Sequence, residues 1–70
     1  SGRDGLDAIR QIVSGSHFFL NPNGHLLIEH GFNQSEAVGR IFMTNNFENI
    51  LSSKDDSGIE RVKLGKFNGG

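Results

Sequence analysis

The stretch Gly24-His25-Leu26-Leu27-Ile28-Glu29-His30-Gly31 decides the fold. A glycine, a short apolar core, then a carboxylate and a second glycine with a helix pattern close behind describe a buried strand of an α/β sheet. Leu26-Leu27-Ile28 is apolar on both faces, as a strand covered on both sides requires. In open α/β sheets the ligand lies outside the carboxyl ends of the strands, which makes Glu29 and His30 the first candidates for chemistry.

Upstream, Leu6, Ile9, Ile12, Val13, Phe19 and Leu20 recur mostly at three- and four-residue spacings, which predicts an amphipathic helix. Asp4 is its expected N-cap, accepting from early amides that lack helical carbonyl partners, and Asp7 suits the positive first turn. Gly15 weakens the interior by up to about 1 kcal/mol relative to alanine. Asn21-Pro22-Asn23-Gly24 then stops the helix and turns the chain. Downstream of the decisive strand, Asn33 and Glu36 have capping-box spacing, and Ala37, Val38, Ile41 and Phe42 form a buried stripe. Asn45-Asn46 tolerates left-handed backbone at a helix end, with Phe47 packing back beneath it.

The last third changes period. Ile50-Leu51 reads as a short strand, Asp55-Asp56-Ser57-Gly58 as a turn, and Glu60-Arg61-Val62-Lys63-Leu64 alternates strictly. Alternation puts Val62 and Leu64 on one face and Arg61 and Lys63 on the other, so this strand is expected to be buried on its apolar side and wet on its basic side. The order is helix, strand, helix, strand, strand: a parallel α/β beginning that finishes in an antiparallel hairpin.

Bulk properties bound the function. Seventy residues make at most one small domain, and a chain of that size buries only about 60% of the surface its unfolded form exposes. Without cysteine there is no disulfide and no thiolate metal site, which favours a reducing compartment. Seven basic and eight acidic residues give a net charge of -1, so no overall field draws in nucleic acid or an anionic membrane. No apolar run approaches the roughly 20 residues of a bilayer span, and Ser1-Gly2-Arg3-Asp4 has no signal-peptide character, so a soluble cytoplasmic protein is expected.

Four groups of residues, in this order, resemble the C-terminal portion of the release-factor glutamine methyltransferases, the HemK/PrmC family. They are Gly5-Leu6-Asp7; Gly24 with Leu26-Leu27-Ile28-Glu29-His30-Gly31; Gln34 with Glu36-Ala37-Val38; and Glu60-Arg61-Val62-Lys63-Leu64-Gly65-Lys66-Phe67. The resemblance implies the late part of a class I, Rossmann-like methyltransferase sheet ending in its antiparallel hairpin, with residues 1–70 a single fragment of the catalytic domain. It further implies a parent enzyme that moves a methyl group from S-adenosylmethionine to the glutamine side-chain amide of the Gly-Gly-Gln motif in peptide-chain release factors.

Two motifs that carry this activity in the family have no counterpart in the sequence: the glycine-rich loop after the first strand, and Asn-Pro-Pro-Tyr. Asn21-Pro22-Asn23-Gly24 is no substitute, because it precedes its strand and Gly24 offers no ring to hold a planar amide. The fragment alone is therefore expected to be inactive, with no catalytic, cofactor-binding or metal residue of its own. By the same resemblance the strand Leu26–Ile28 has lost a parallel neighbour, so self-association through its unpaired edge or an exposed apolar face is expected.

Other chemistry finds little support. Glu29 and His30, adjacent on a strand, project to opposite faces and make no dyad. Two readings remain for Glu29: it borders the substrate cleft of the parent, or it accepts hydrogen bonds from the Gly31-Phe32-Asn33 turn. His17, His25 and His30 do not converge on a zinc ion, Asp55-Asp56 lacks the further oxygens of a calcium loop, and no serine sits in a Gly-x-Ser-x-Gly elbow. The alternative to an enzyme fragment is a free-standing small α/β binding module that uses the basic face of the last strand, Arg61 and Lys63.

Overall fold

The computed structural model describes residues 5–69. The elements run α1 (Leu6–Gly15), a 3₁₀ turn (Ser16–Phe18), β1 (His25–Glu29), α2 (Ser35–Thr44), β2 (Phe47–Lys54) and β3 (Glu60–Phe67). This is the predicted order of elements. The strands lie side by side as β1-β3-β2, and both pairings are antiparallel. β1 and β2 therefore point the same way, joined by α2, with β3 filling the slot between them. The parallel pairing expected at the start of the sheet does not occur among the described residues, because β3 separates the two co-directional strands.

Leu6, Ile9 and Val13 form the buried stripe of α1, at the spacing of one helical face. Gly5 takes the N-cap position with φ +75°, a left-handed conformation that glycine adopts without steric cost. The N-cap assigned to Asp4 lies outside the described residues. α1 ends five residues before Leu20, against expectation: the Ser16 hydroxyl donates to the Val13 carbonyl at 2.7 Å, an alternative partner for a helix-end acceptor just after the poor helix former Gly15. Phe19 consequently leaves the helical stripe and is exposed. Asn21–Gly24 is a turn closed by Gly24 N–H to Asn21 O at 2.9 Å.

Val38 and Phe42 of α2 are wholly buried, with Ala37 and Ile41 packed at the margins of the same core. The capping box is not formed. Gln34, not Asn33, is the N-cap residue; Gln34 Oε1 accepts from the Gly31 amide at 2.7 Å, and Glu36 pairs with Arg40 one turn on. Asn46 adopts the left-handed conformation expected at this helix end, and Phe47 packs at 5.0 Å between ring centres from Phe42 and 5.4 Å from Phe67.

β2 is longer than predicted, because Asn49 at φ +52° lies in a bulge between Glu48 and Leu51 that lets the ladder continue. A second irregularity, between Ser53 and Lys54, leaves Arg61 unopposed and turns Glu60 toward the helices. β1 is not covered on both faces: Ile28 is buried, Leu26 half-buried and Leu27 exposed.

The faces of β3 are the reverse of the sequence expectation. Lys63, Gly65 and Phe67 lie under the helices, and Val62 and Leu64 are on the open side. Gly65 makes this arrangement possible, since a Cβ there would stand 2.3 Å from Phe42 Cδ2. Phe42 rests directly on the β3 backbone, and burying a ring of that size contributes roughly 1.5–3 kcal/mol.

Candidate functional site

The carboxyl ends of β1 and β2, the N-terminus of α2 and the start of β3 meet at one end of the sheet. Glu29 and His30 separate there as alternation requires. Glu29 is exposed on the open face, in register with Val62; His30 is buried, its main-chain N–H donating to Arg61 O at 2.8 Å. The His30 Nδ1 proton goes to the carbonyl of Gly31, at 2.8 Å, and Nε2 has no hydrogen-bond partner among the described residues. Of the Gly31-Phe32-Asn33 turn, which one of the two readings offered to Glu29, the Gly31 amide donates to Gln34 Oε1.

Beside them is a polar cluster that sequence reasoning missed. The Lys63 ammonium, almost wholly buried, donates to Ser35 Oγ at 2.8 Å and to Ser52 Oγ at 2.7 Å. Ser35 in turn donates to the Glu60 carboxylate. That hydroxyl holds the Glu60 carboxyl below its ordinary range; desolvation opposes the shift, and the Lys63 charge adds to it. The hydroxyls thus bridge a cation and an anion, fastening the first turn of α2 to both strands of the hairpin.

Arg61 and Lys63 do not share a solvent-facing surface, as the basic-face reading requires. Lys63 points inward, the Arg61 guanidinium pairs with Asp55 at 3.0 Å, and Lys66 lies 3.5 Å from Glu48. A sequence signal existed: Gly65 and Phe67 share parity with Lys63, and a phenylalanine on the "wet" side argued that this side is covered. Asp55 closes the hairpin loop. The Ile59 amide, followed by Arg61, lowers its pKa.

Among the described residues no three histidine, aspartate or glutamate side chains are placed to hold a metal ion. No helix there is long and apolar enough to cross a membrane. At the opposite end of the sheet a cavity of about 180 Å³ opens between the C-terminal ends of α1 and α2. It is smaller than the roughly 300–1,000 Å³ of sites that enclose a nucleoside-sized ligand.

Among the described residues the structure is thus an α/β piece with a bare sheet edge, and comparison with known proteins gives the class of its relatives, which are methyltransferases. No protein-family model matches the chain. It is 45% identical over 65 residues to the release factor glutamine methyltransferase of Pasteurella multocida, covering 93% of this chain and 22% of that protein. The corresponding enzyme of Burkholderia pseudomallei is 42% identical over 66 residues, 94% of this chain and 23% of the relative. That of Pseudomonas aeruginosa is 40% identical over 67 residues, 96% and 24%. Nearly the whole chain is thus similar to a short segment of proteins named release factor glutamine methyltransferase. It spans less than a quarter of the length of these curated relatives.

Proposed function

We propose that the chain is the C-terminal portion of the catalytic domain of a cytoplasmic, S-adenosylmethionine-dependent methyltransferase. The parent methylates the glutamine side-chain amide of the Gly-Gly-Gln motif in peptide-chain release factors. The observation that carries this reading is a match along nearly the whole chain to under a quarter of enzymes bearing that name. Two features support it. The helix, strand, helix, hairpin order suits the end of a Rossmann-like sheet, and one edge of β1 has no partner among the described residues, where an earlier parallel strand would lie.

On this reading Glu29 and His30 border the substrate cleft of the parent without acting as its catalytic groups. The residues present do not fit S-adenosylmethionine: there is no glycine-rich loop for its close approach, and the cavity between the helix ends is too small. The isolated chain therefore neither binds the cofactor nor catalyses. It self-associates through the β1 edge or the leucines of the open face.

Calorimetric titration with S-adenosylmethionine tests this. The chain alone is expected to give no heat of binding, and the full-length product of its gene to bind one equivalent. Stoichiometric, tight binding by the 70-residue chain would overturn the proposal.

A further inference from the structure

β1 leaves one row of main-chain groups free, and their order along the strand specifies what completes them. Phe67 N–H donates to Gly24 O at 2.7 Å, and His30 N–H to Arg61 O at 2.8 Å. With the register of β1 on β3, alternation assigns the main-chain groups of Leu26 and Ile28 to β3 as well and turns those of His25, Leu27 and Glu29 outward. β1 is an end strand of the sheet, and none of these three outward residues has a main-chain partner among the described residues. The row is bounded at both ends: the Asn23 amide donates to Phe67 O at 2.8 Å, and the Gly31 amide to Gln34 Oε1 at 2.7 Å. All three side chains are exposed. His25–Glu29 contains no lysine, proline or bulge of the kind that keeps an edge from pairing.

Such a row is symmetric about Leu27. Rotation about a two-fold axis perpendicular to the sheet lays a second copy of β1 antiparallel to the first. Only with the axis at Leu27 do all three residues exchange both N–H and C=O with the second copy. A slip of the axis by one residue sets Glu29 opposite Asn23, or His25 opposite Gly31, whose amides are already engaged. Side-chain chemistry selects the same register. Leu27 meets its own counterpart, and His25 of each copy stands opposite Glu29 of the other: an imidazole, which donates whether neutral or charged, faces a carboxylate, which accepts. The leucine rows of the two open faces then run end to end.

We propose that two copies of the chain join β1 edge to β1 edge as a closed two-fold dimer, with Leu27 on the axis and a His25–Glu29 pair on either side of it. The dimer rests on the reading above that the isolated chain self-associates; it selects the edge over the leucine face and fixes the register and the stoichiometry. Pairing covers the free edge of both copies, so the joined sheet ends at β2 on each side.

Sedimentation across a wide concentration range, with amide exchange at its two extremes, tests this. A monomer–dimer equilibrium is expected. The amides of His25, Leu27 and Glu29 are expected to gain protection as the dimer forms, and those of Leu26 and Ile28 to be protected throughout. His25→Glu sets a carboxylate opposite Glu29 and is expected to raise the dimer dissociation constant at least about tenfold, since the clash occurs twice. Adding Glu29→Lys exchanges the charges across the same two pairs and is expected to bring the constant back to within about threefold of the parent chain. Both side chains are exposed in the single chain, so these changes leave its core untouched. Association with the three amides still unprotected, or a charge exchange that fails to restore the dimer, would overturn this proposal alone and point to the leucine face. A chain monomeric at every concentration would overturn it together with the self-association reading. The methyltransferase assignment is decided separately, by the cofactor titration of the full-length product.

Discussion

One face of β3 lies under two helices and carries a lysine, a glycine and a phenylalanine; the other is bare and carries a valine and a leucine. The covered face works because each residue answers something above it. Gly65 leaves room for the Phe42 ring, Phe67 joins Phe47 and Phe42 in an aromatic cluster, and the Lys63 stem fills the space beneath α2 while Ser35 and Ser52 take its ammonium. On the bare face Leu27, Leu64 and Leu51 form a single cross-strand row, in register but with no helix of the described residues packed on it. Burial here follows from what the neighbouring element can satisfy, and not from the hydropathy of the strand residue taken alone.

Three sets of substitutions probe that contrast, in descending order of effect. Gly65→Ala places a methyl carbon inside the contact distance of a fully buried ring, so the core must open. A loss of about 3 kcal/mol is expected in urea unfolding, and adding Phe42→Leu is expected to recover part of it, because the two sites share one contact. An undiminished urea midpoint for the single variant would mean that Phe42 does not seat on Gly65.

Glu60→Gln addresses the polar half of the covered face. The folded pKa of Glu60 lies below its ordinary 4.5, so its contribution to stability is complete above that value and is lost as pH falls through the folded pKa. The glutamine variant is expected to show a shallower fall in stability on the acid side of pH 4.5 than the parent chain, with the share due to Asp55, lowered from 3.8, still present. Superimposable acid limbs for the two proteins would remove Glu60 from the network.

On the bare face, Leu27→Thr with Leu51→Thr is expected to shift stability by no more than about 0.5 kcal/mol per site. It should lower the weight-average mass in sedimentation toward that of a monomer. A chain already monomeric across the concentration range, or variants that associate as before, would show that the leucine row is not what brings copies together.

The sequence disclosed the elements better than their orientation. Spacing located both helices and the decisive strand, and the Asp55–Gly58 turn and the Asn46 helix end follow from local chemistry. Alternation in β3 showed that its faces differ, but only the far-off Phe42 decides which is covered. The Gln34 cap and the early end of α1 at Ser16 depend on single side-chain bonds that compete with regular helix ends. The site candidates behaved likewise: opposite projection of Glu29 and His30 is a property of any strand, whereas the Lys63 cluster joins Ser35, Ser52 and Glu60 from three elements. The cavity between the helix ends joins residues about thirty positions apart. No spacing rule on one strand or helix reveals either.

The place of β3 between two strands that precede it also bears on how the chain is made. β1 and β2 do not pair with each other, so among the described residues every ladder hydrogen bond of the sheet involves β3, the last of the three in sequence. In synthesis β1 and β2 both emerge before the strand that joins them to each other, with α2 as their link until Glu60–Phe67 follows. These three strands cannot be laid down in chain order; the pairings on both sides of β3 form together, with Glu60–Phe67 as their keystone.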